Sequence, residues 1–213
     1  MNGVFVQLMT LMLVGTLTAC GGSGAQTTPG PSQTVPPTFS APVESQPAAN
    51  GASHVLVAYF SATGNTENIA GHIQAALDAD LYEIVPEEPY TSEDLDYSED
   101  DCRANREQND PNARPAISGG VENMEDYDVV FLGYPIWWGQ APRIIDTFLE
   151  SYDFEDVTIV PFCTSGSSGI DGSLEELRTL ASGAVWLDGR RFSGGAAQEE
   201  VAAWAEGLDL SQT

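Results

Sequence analysis

No lysine occurs among the 213 residues, and the seven basic side chains, all arginine, face 32 acidic ones. The resulting formal charge of −25 makes nucleic acid and anionic membrane surfaces poor partners, since both repel such a chain. A basic protein or a small ligand fits better, and the acidity also serves solubility by itself. Without lysine, a triphosphate cradle that places a lysine ammonium on the terminal phosphates is excluded. Histidine is nearly as scarce. His54 precedes the first strand-like run and His72 lies on the first helix-like one, so each reads as a surface or packing residue rather than a base. A serine hydrolase needs a usable histidine and a Gly-x-Ser-x-Gly elbow, and Gly166-Ser167-Ser168-Gly169 lacks that spacing. The three cysteines, at 20, 102 and 163, are spaced for no metal site. Cys102 and Cys163 read as free thiols, with a bond between them the alternative in an oxidising compartment.

Long hydrophobic runs are absent too. The mostly apolar stretch 4–17 is too short to span a bilayer comfortably and is followed by small residues, as in a signal segment. Leu17-Thr18-Ala19-Cys20 resembles the lipobox of bacterial lipoproteins, and that resemblance implies lipidation of Cys20 as the first residue of the mature chain. Residues 21–53 are dense in Gly, Pro, Ser, Thr, Gln and Ala and contain almost nothing able to form a core. Such a disordered tether of ~33 residues spans about 30 Å on average. The expected organisation is therefore a leader over 1–20, a linker over 21–53 and one globular domain over 54–213, anchored outside the cytoplasm by lipid alone.

From residue 54 onward, strand-like and helix-like patterns alternate. Residues 55–60 form a continuous apolar run, as expected of a strand covered on both faces. Residues 65–78 place Ile69, Ile73, Ala76 and Leu77 on one helical face. Further strands are expected over 81–85, 129–133, 158–162 and 184–187. A helix entered at Pro142 carries the stripe Ile144, Ile145, Phe148, Leu149 and Tyr152, and a last helix over 196–208 carries Val201, Trp204, Ala205 and Leu208. Ser173-Leu174-Glu175-Glu176 has the form of a capping box, so a helix is expected to start at Ser173. The long interval 86–127 breaks the rhythm. Within it 98–108 looks helical, with Glu99 placed to pair with Arg103. Arg103, Arg106 and Arg114 gather there, to pair with neighbouring carboxylates or to sit at the rim of a ligand pocket. Five strands alternating with helices make an open parallel α/β sheet wound on both sides, whose ligands bind beyond the carboxyl ends of its strands.

Three loops at those ends carry chemistry. Ser61-Ala62-Thr63-Gly64-Asn65-Thr66 leaves the first strand and opens a helix, so backbone N–H groups and the positive end of the helix dipole meet side-chain donors in a cup for a phosphate. With no cation in the loop, a phosphate monoester suits it. Tyr134-Pro135-Ile136-Trp137-Trp138-Gly139 puts two indoles at a loop tip, where they stack on a flat heterocycle or pack on the protein's own surface. Thr164-Ser165-Gly166-Ser167-Ser168-Gly169 is donor-rich and small enough to wrap a polar ring edge.

Together these loops resemble those of the flavodoxins, over the whole of 54–208. The resemblance implies a flavodoxin-like three-layer sandwich with a five-stranded parallel sheet in the order 2-1-3-4-5, and FMN as cofactor. Carried over position by position, it implies that Ser61, Thr63, Gly64, Asn65 and Thr66 hold the phosphate of FMN. Pro135, Ile136, Trp137, Trp138 and Gly139 then flank the ring on one side, with Thr164, Ser165, Gly166 and Gly169 on the other. A response-regulator receiver has the same architecture but needs acidic residues after the first strand, an Asp after the third and a Lys after the fifth. Here those places hold Ser61, Tyr134 and no lysine. Three functions remain: an electron carrier working with a redox partner protein, an FMN-dependent reductase of a nicotinamide or quinone substrate, and a non-redox binding domain of the same fold. No catalytic acid or base is implied.

Overall fold

The computed structural model of the chain describes residues 53–210. The expected leader, Cys20 and the linker up to residue 52 lie outside the described residues.

Every second residue of the first strand, β1 (Val55–Tyr59), faces the same side of the sheet, and both sides are apolar, so helices cover both. β1 runs into α1 (Asn65–Leu77) and returns as β2 (Asp80–Glu83), which pairs parallel to β1. The chain then makes a small antiparallel pair, β3 (Val85–Pro86) with β4 (Ile117–Ser118), which closes the base of the long insertion around α2 (Arg103–Asn109). β5 (Val129–Pro135), α3 (Arg143–Glu150), β6 (Thr158–Thr164) and α4 (Asp171–Leu180) follow, then β7 (Val185–Trp186), β8 (Arg190–Phe192) and α5 (Gln198–Glu206). The parallel sheet has the order β2-β1-β5-β6-β7, with β8 also pairing β6. That is the expected 2-1-3-4-5 order of an α/β sandwich.

Two cores result. Val57, Phe131, Val160 and Phe162 pack with Ile69 and Ile73 of α1 and Val201 and Ala205 of α5. Leu56, Val130, Leu132 and Ile159 pack on the other face with Ile144, Ile145 and Phe148 of α3 and Leu174 and Leu177 of α4. Burying a side chain of this size stabilises the fold by about 1.5–3 kcal/mol.

The structure corrects several sequence expectations. The fifth strand position is filled by two short pieces: β7 pairs with Thr158–Ile159 and β8 with Phe162–Thr164. Pro161 supplies the reason. Leu187 N donates to Ile159 O, so residues 159, 161 and 163 of β6 face the edge, and the proline has no N–H to give there. The chain leaves the ladder at 187–189 and rejoins it beyond the gap. The helix expected to begin at Ser173 begins at Asp171 instead, so Ser173 is not its cap. The Ser173 hydroxyl donates to Ile170 O at 2.6 Å, which leaves its oxygen to accept from the buried Tyr134 hydroxyl at 2.9 Å. α2 starts five residues later than expected, and Arg103 pairs with Glu107 rather than Glu99.

The insertion arginines serve structure. Arg103 also lies over the Tyr90 ring, and Arg106 meets Asp101. Arg114 grips Glu150 with two nitrogens at 2.7 and 2.8 Å and reaches Asp146 at 3.6 Å.

Cys102 and Cys163 are both buried free thiols. Burial pushes the Cys163 thiol up to about 12, so at pH 8 almost none of it is thiolate. Native protein treated with iodoacetamide at pH 8 should carry no label at Cys163 by peptide mass spectrometry, and denatured protein should carry full label. Rapid native labelling there contradicts the packing of β6.

Candidate functional site

At the carboxyl edge of the sheet the first, third and fourth long strands deliver their loops to one cavity of about 440 Å³. Its wall includes Ala62, Thr63 and Asn65 after β1, Pro135, Ile136 and Trp137 at the end of β5, and Thr164, Ser165 and Gly166 at the end of β6. Among the described residues, no histidine, carboxylate, cysteine, lysine or arginine lines it. A second cavity, of about 340 Å³, opens at the opposite edge among Asp78, Asp80, Glu122 and Asp126. Its walls bring no strand-end loop together, so the chemistry belongs to the larger one.

The cup is built by one backbone reversal. Gly64 adopts φ +79°, a left-handed conformation that a residue with a Cβ enters only at a cost, and so turns the chain directly into α1. Amides at a helix start have no partner within the helix and point outward beside Thr63 and Asn65. Asn65 Nδ2 donates to Thr63 Oγ1 at 3.0 Å, fixing the two side chains relative to each other. Ser61 Oγ is buried and has no hydrogen-bond partner among the described residues. A buried hydroxyl left unpaired costs about 1–3 kcal/mol, a cost removed when an acceptor arrives. Thr66 behaves differently. It is buried, and its hydroxyl is shared with Thr164 Oγ1 at 2.8 Å, so this side chain locks the first loop to the third rather than facing the cavity.

The two indoles part company. Trp137, 6% exposed, meets the Phe60 ring edge-on at 5.5 Å and the Tyr90 ring at 5.1 Å, so it is a core side chain that shows one border to the cavity. Trp138, 41% exposed, sits at φ +47° beside Gly139 at φ +84°. Two successive left-handed residues form a tight reversal, closed by Trp137 N to Gln140 O and Gln140 N to Trp137 O, each 2.9 Å. An aromatic residue held left-handed stores roughly 1–3 kcal/mol of strain. Its ring stacks on Tyr97 at 4.3 Å and 28°.

Two wall elements were not anticipated from the sequence. Leu95 and Tyr97 come from the insertion, and Ser193 and Gly194 follow β8. Asn68 Nδ2 donates to Gly194 O at 3.0 Å, and Gly194 lies so close to Asn65 that a Cβ would fall 2.2 Å from Asn65 Oδ1. A signal existed in Ser193-Gly194-Gly195, the same small-residue composition as the loop after β6. The short strand before it hid its position. Of the residues expected at the site, Ser61, Gly64 and Thr66 of the first loop and Trp138, Gly139 and Gly169 are not on the cavity wall.

The arrangement can seat a flat ring between Pro135–Trp137 and the 164–166 turn while an attached phosphate enters the cup. Comparison with known proteins bears on this. A family model described as Flavodoxin matches residues 54–208. A crystal structure of a candidate flavoprotein from Bacteroides eggerthii is 46% identical, covers 74% of this chain and 98% of its own, and superposes with a TM-score of 0.69. A flavodoxin of Haemophilus influenzae is 32% identical over 102 residues, which is 46% of this chain and only 42% of that relative. A flavoprotein of Lactobacillus acidophilus, solved in complex with FMN, is 22% identical with a TM-score of 0.53, covering 66% of this chain and 93% of its own, and shares the fold.

Proposed function

The chain belongs to the flavodoxin family, whose cofactor is FMN, and from that premise we propose that it is an FMN-dependent electron carrier. The residues fit the cofactor. The carrying observation is the unpartnered buried hydroxyl of Ser61 beside the left-handed turn at Gly64, a donor set with no cation, suited to the phosphate monoester of a flavin nucleotide. Ser61, Thr63 and Asn65 would hold the phosphate with the first amides of α1, and Thr66 would hold the cup to the 164–166 turn. Pro135, Ile136 and Trp137 would bound the ring on one side, with Thr164, Ser165 and Gly166 on the other.

When bound, FMN supplies the electron chemistry, and the protein supplies position and electrostatics. Among the described residues the wall carries no carboxylate, histidine, lysine or arginine, and its one phenol, Tyr97, is pushed up by burial; this supports a carrier over an enzyme that must protonate a substrate. The surroundings of the mouth support a basic partner protein. Tyr97 and Trp138 are exposed there, and the same insertion presents Glu93, Asp96, Glu99, Asp100 and Asp101 to solvent. Lipidation at Cys20 would keep this carrier at a membrane outside the cytoplasm. Purified protein loaded with FMN should fail to oxidise NADH or NADPH steadily with a quinone acceptor, yet pass electrons to a basic redox protein in a salt-sensitive way. Steady turnover of the nicotinamide would instead make it a reductase.

Ser61→Ala separates holding the phosphate from holding the fold. Because the hydroxyl has no partner, its removal should leave the melting temperature of the free protein unchanged or slightly higher. A hydrogen bond to a charged group contributes about 1.5–3 kcal/mol, so FMN affinity should fall by roughly tenfold or more. Equal FMN affinity in variant and wild type would remove Ser61 from the cup.

A further inference from the structure

Arg191, on β8, turns its guanidinium onto the turn that forms one wall of the cavity. Nη2 donates to Ser165 O at 2.9 Å and Gly166 O at 2.6 Å, and Nε donates to Ser165 Oγ at 3.2 Å. Ser165 N in turn donates to Phe192 O at 3.2 Å, so backbone and side chain of β8 together fasten residues 165–166. Both residues line the cavity.

The acceptors that Arg191 uses carry no net charge. Arg103, Arg106, Arg114, Arg143 and Arg190 each hold a carboxylate within 4 Å. Arg178, which has no such partner among the described residues, lies in the last turn of α4. Among the described residues, Arg191 is therefore a cation not cancelled by direct pairing, set directly behind a cavity wall of neutral groups. Its field reaches inward: it draws the Cys163 thiol down, while burial and Asp171 push it up. A flavin ring that takes two electrons and one proton ends with one added negative charge. In a chain of net charge −25 that charge is disfavoured unless a cation stands near it.

We propose that Arg191 is a positioning residue of the ring site, clasping the 165–166 turn against the ring edge and offsetting with its charge the negative field met by the reduced flavin. The inference rests on the FMN reading above. Its uncompensated charge distinguishes it from a purely structural clasp.

The test uses the FMN-loaded protein and its Arg191→Gln and Arg191→Lys variants. Each is titrated with dithionite against reference dyes for the two-electron midpoint potential, and each is measured for FMN and riboflavin affinity by quenching of flavin fluorescence. Arg191→Gln should lower the potential, Arg191→Lys should restore most of it, and the difference should shrink as salt rises. Both variants should weaken FMN and riboflavin by the same several-fold factor, since the clasp acts at the ring. An unchanged potential in Arg191→Gln, or the same fall in both variants, overturns the charge role. A loss confined to FMN overturns the placement at the ring. Wild-type protein that binds no flavin overturns the FMN reading and this inference with it, whereas wild-type binding with insensitive variants overturns the inference alone.

Discussion

Trp137→Ala should lower the stability of the protein by about 3–5 kcal/mol, the range for emptying a buried indole site, and its melting temperature by about 10 °C or more. The indole fills the space between Phe60 at the end of β1 and Tyr90 in the insertion, with both rings edge-on to it. Each such aromatic contact adds about 0.5–1.5 kcal/mol beyond area burial. Tyr90 is itself held in place, donating to Glu107 while Arg103 lies over its ring. Removing the indole therefore loosens the insertion as well as the loop. Trp138→Ala, one residue on, should change the melting temperature little, because that side chain is half exposed and stacks on the exposed ring of Tyr97. Thermal unfolding followed by circular dichroism compares the two. Equal losses would mean that Trp137 is not the anchor.

Gly194→Ala should damage ligand binding far more than folding. The added methyl would overlap Asn65, with 2.2 Å to Oδ1, 2.5 Å to Cγ and 2.7 Å to Cβ. Asn65 must swing away, giving up its bond to Thr63 and with it the shape of the cup. Neither residue is in a core, so the fold has room to accommodate the shift. FMN affinity should fall on the order of tenfold to a hundredfold, about 1.4 kcal/mol per decade. Riboflavin, which has no phosphate, should bind the variant as it binds the wild type. Equal losses for both ligands would place Gly194 at the ring and not at the cup.

The sheet was legible because its central strands, β1, β5 and β6, are continuous apolar runs and its helices carry apolar stripes at helical spacing. These patterns fix which faces are buried, and the alternation of strand and helix fixes a parallel order. Departures came where one residue changes a local rule. Pro161 withholds an N–H toward the edge and divides the last strand. Ser173 has the spacing of a cap, yet its hydroxyl serves Ile170 and Tyr134 inside the first turn. The cup was readable because donor side chains and a glycine lie consecutively between a strand and a helix. The aromatic loop was half readable. Sequence places two indoles together but cannot say which faces inward, since a left-handed reversal at Trp138 and Gly139 sends them to opposite surroundings. Tyr97 and Gly194 were hidden because each reaches the cavity from an element whose path depends on tertiary packing.

The central claim is that the turn after β1 holds a phosphate ester through neutral donors alone. Titrating the purified protein against FMN and riboflavin, with flavin fluorescence as the readout, tests it most directly. The account predicts tight FMN binding with strong quenching, and riboflavin bound at least tenfold more weakly. Equal affinity for the two, or no binding of FMN at all, would contradict it.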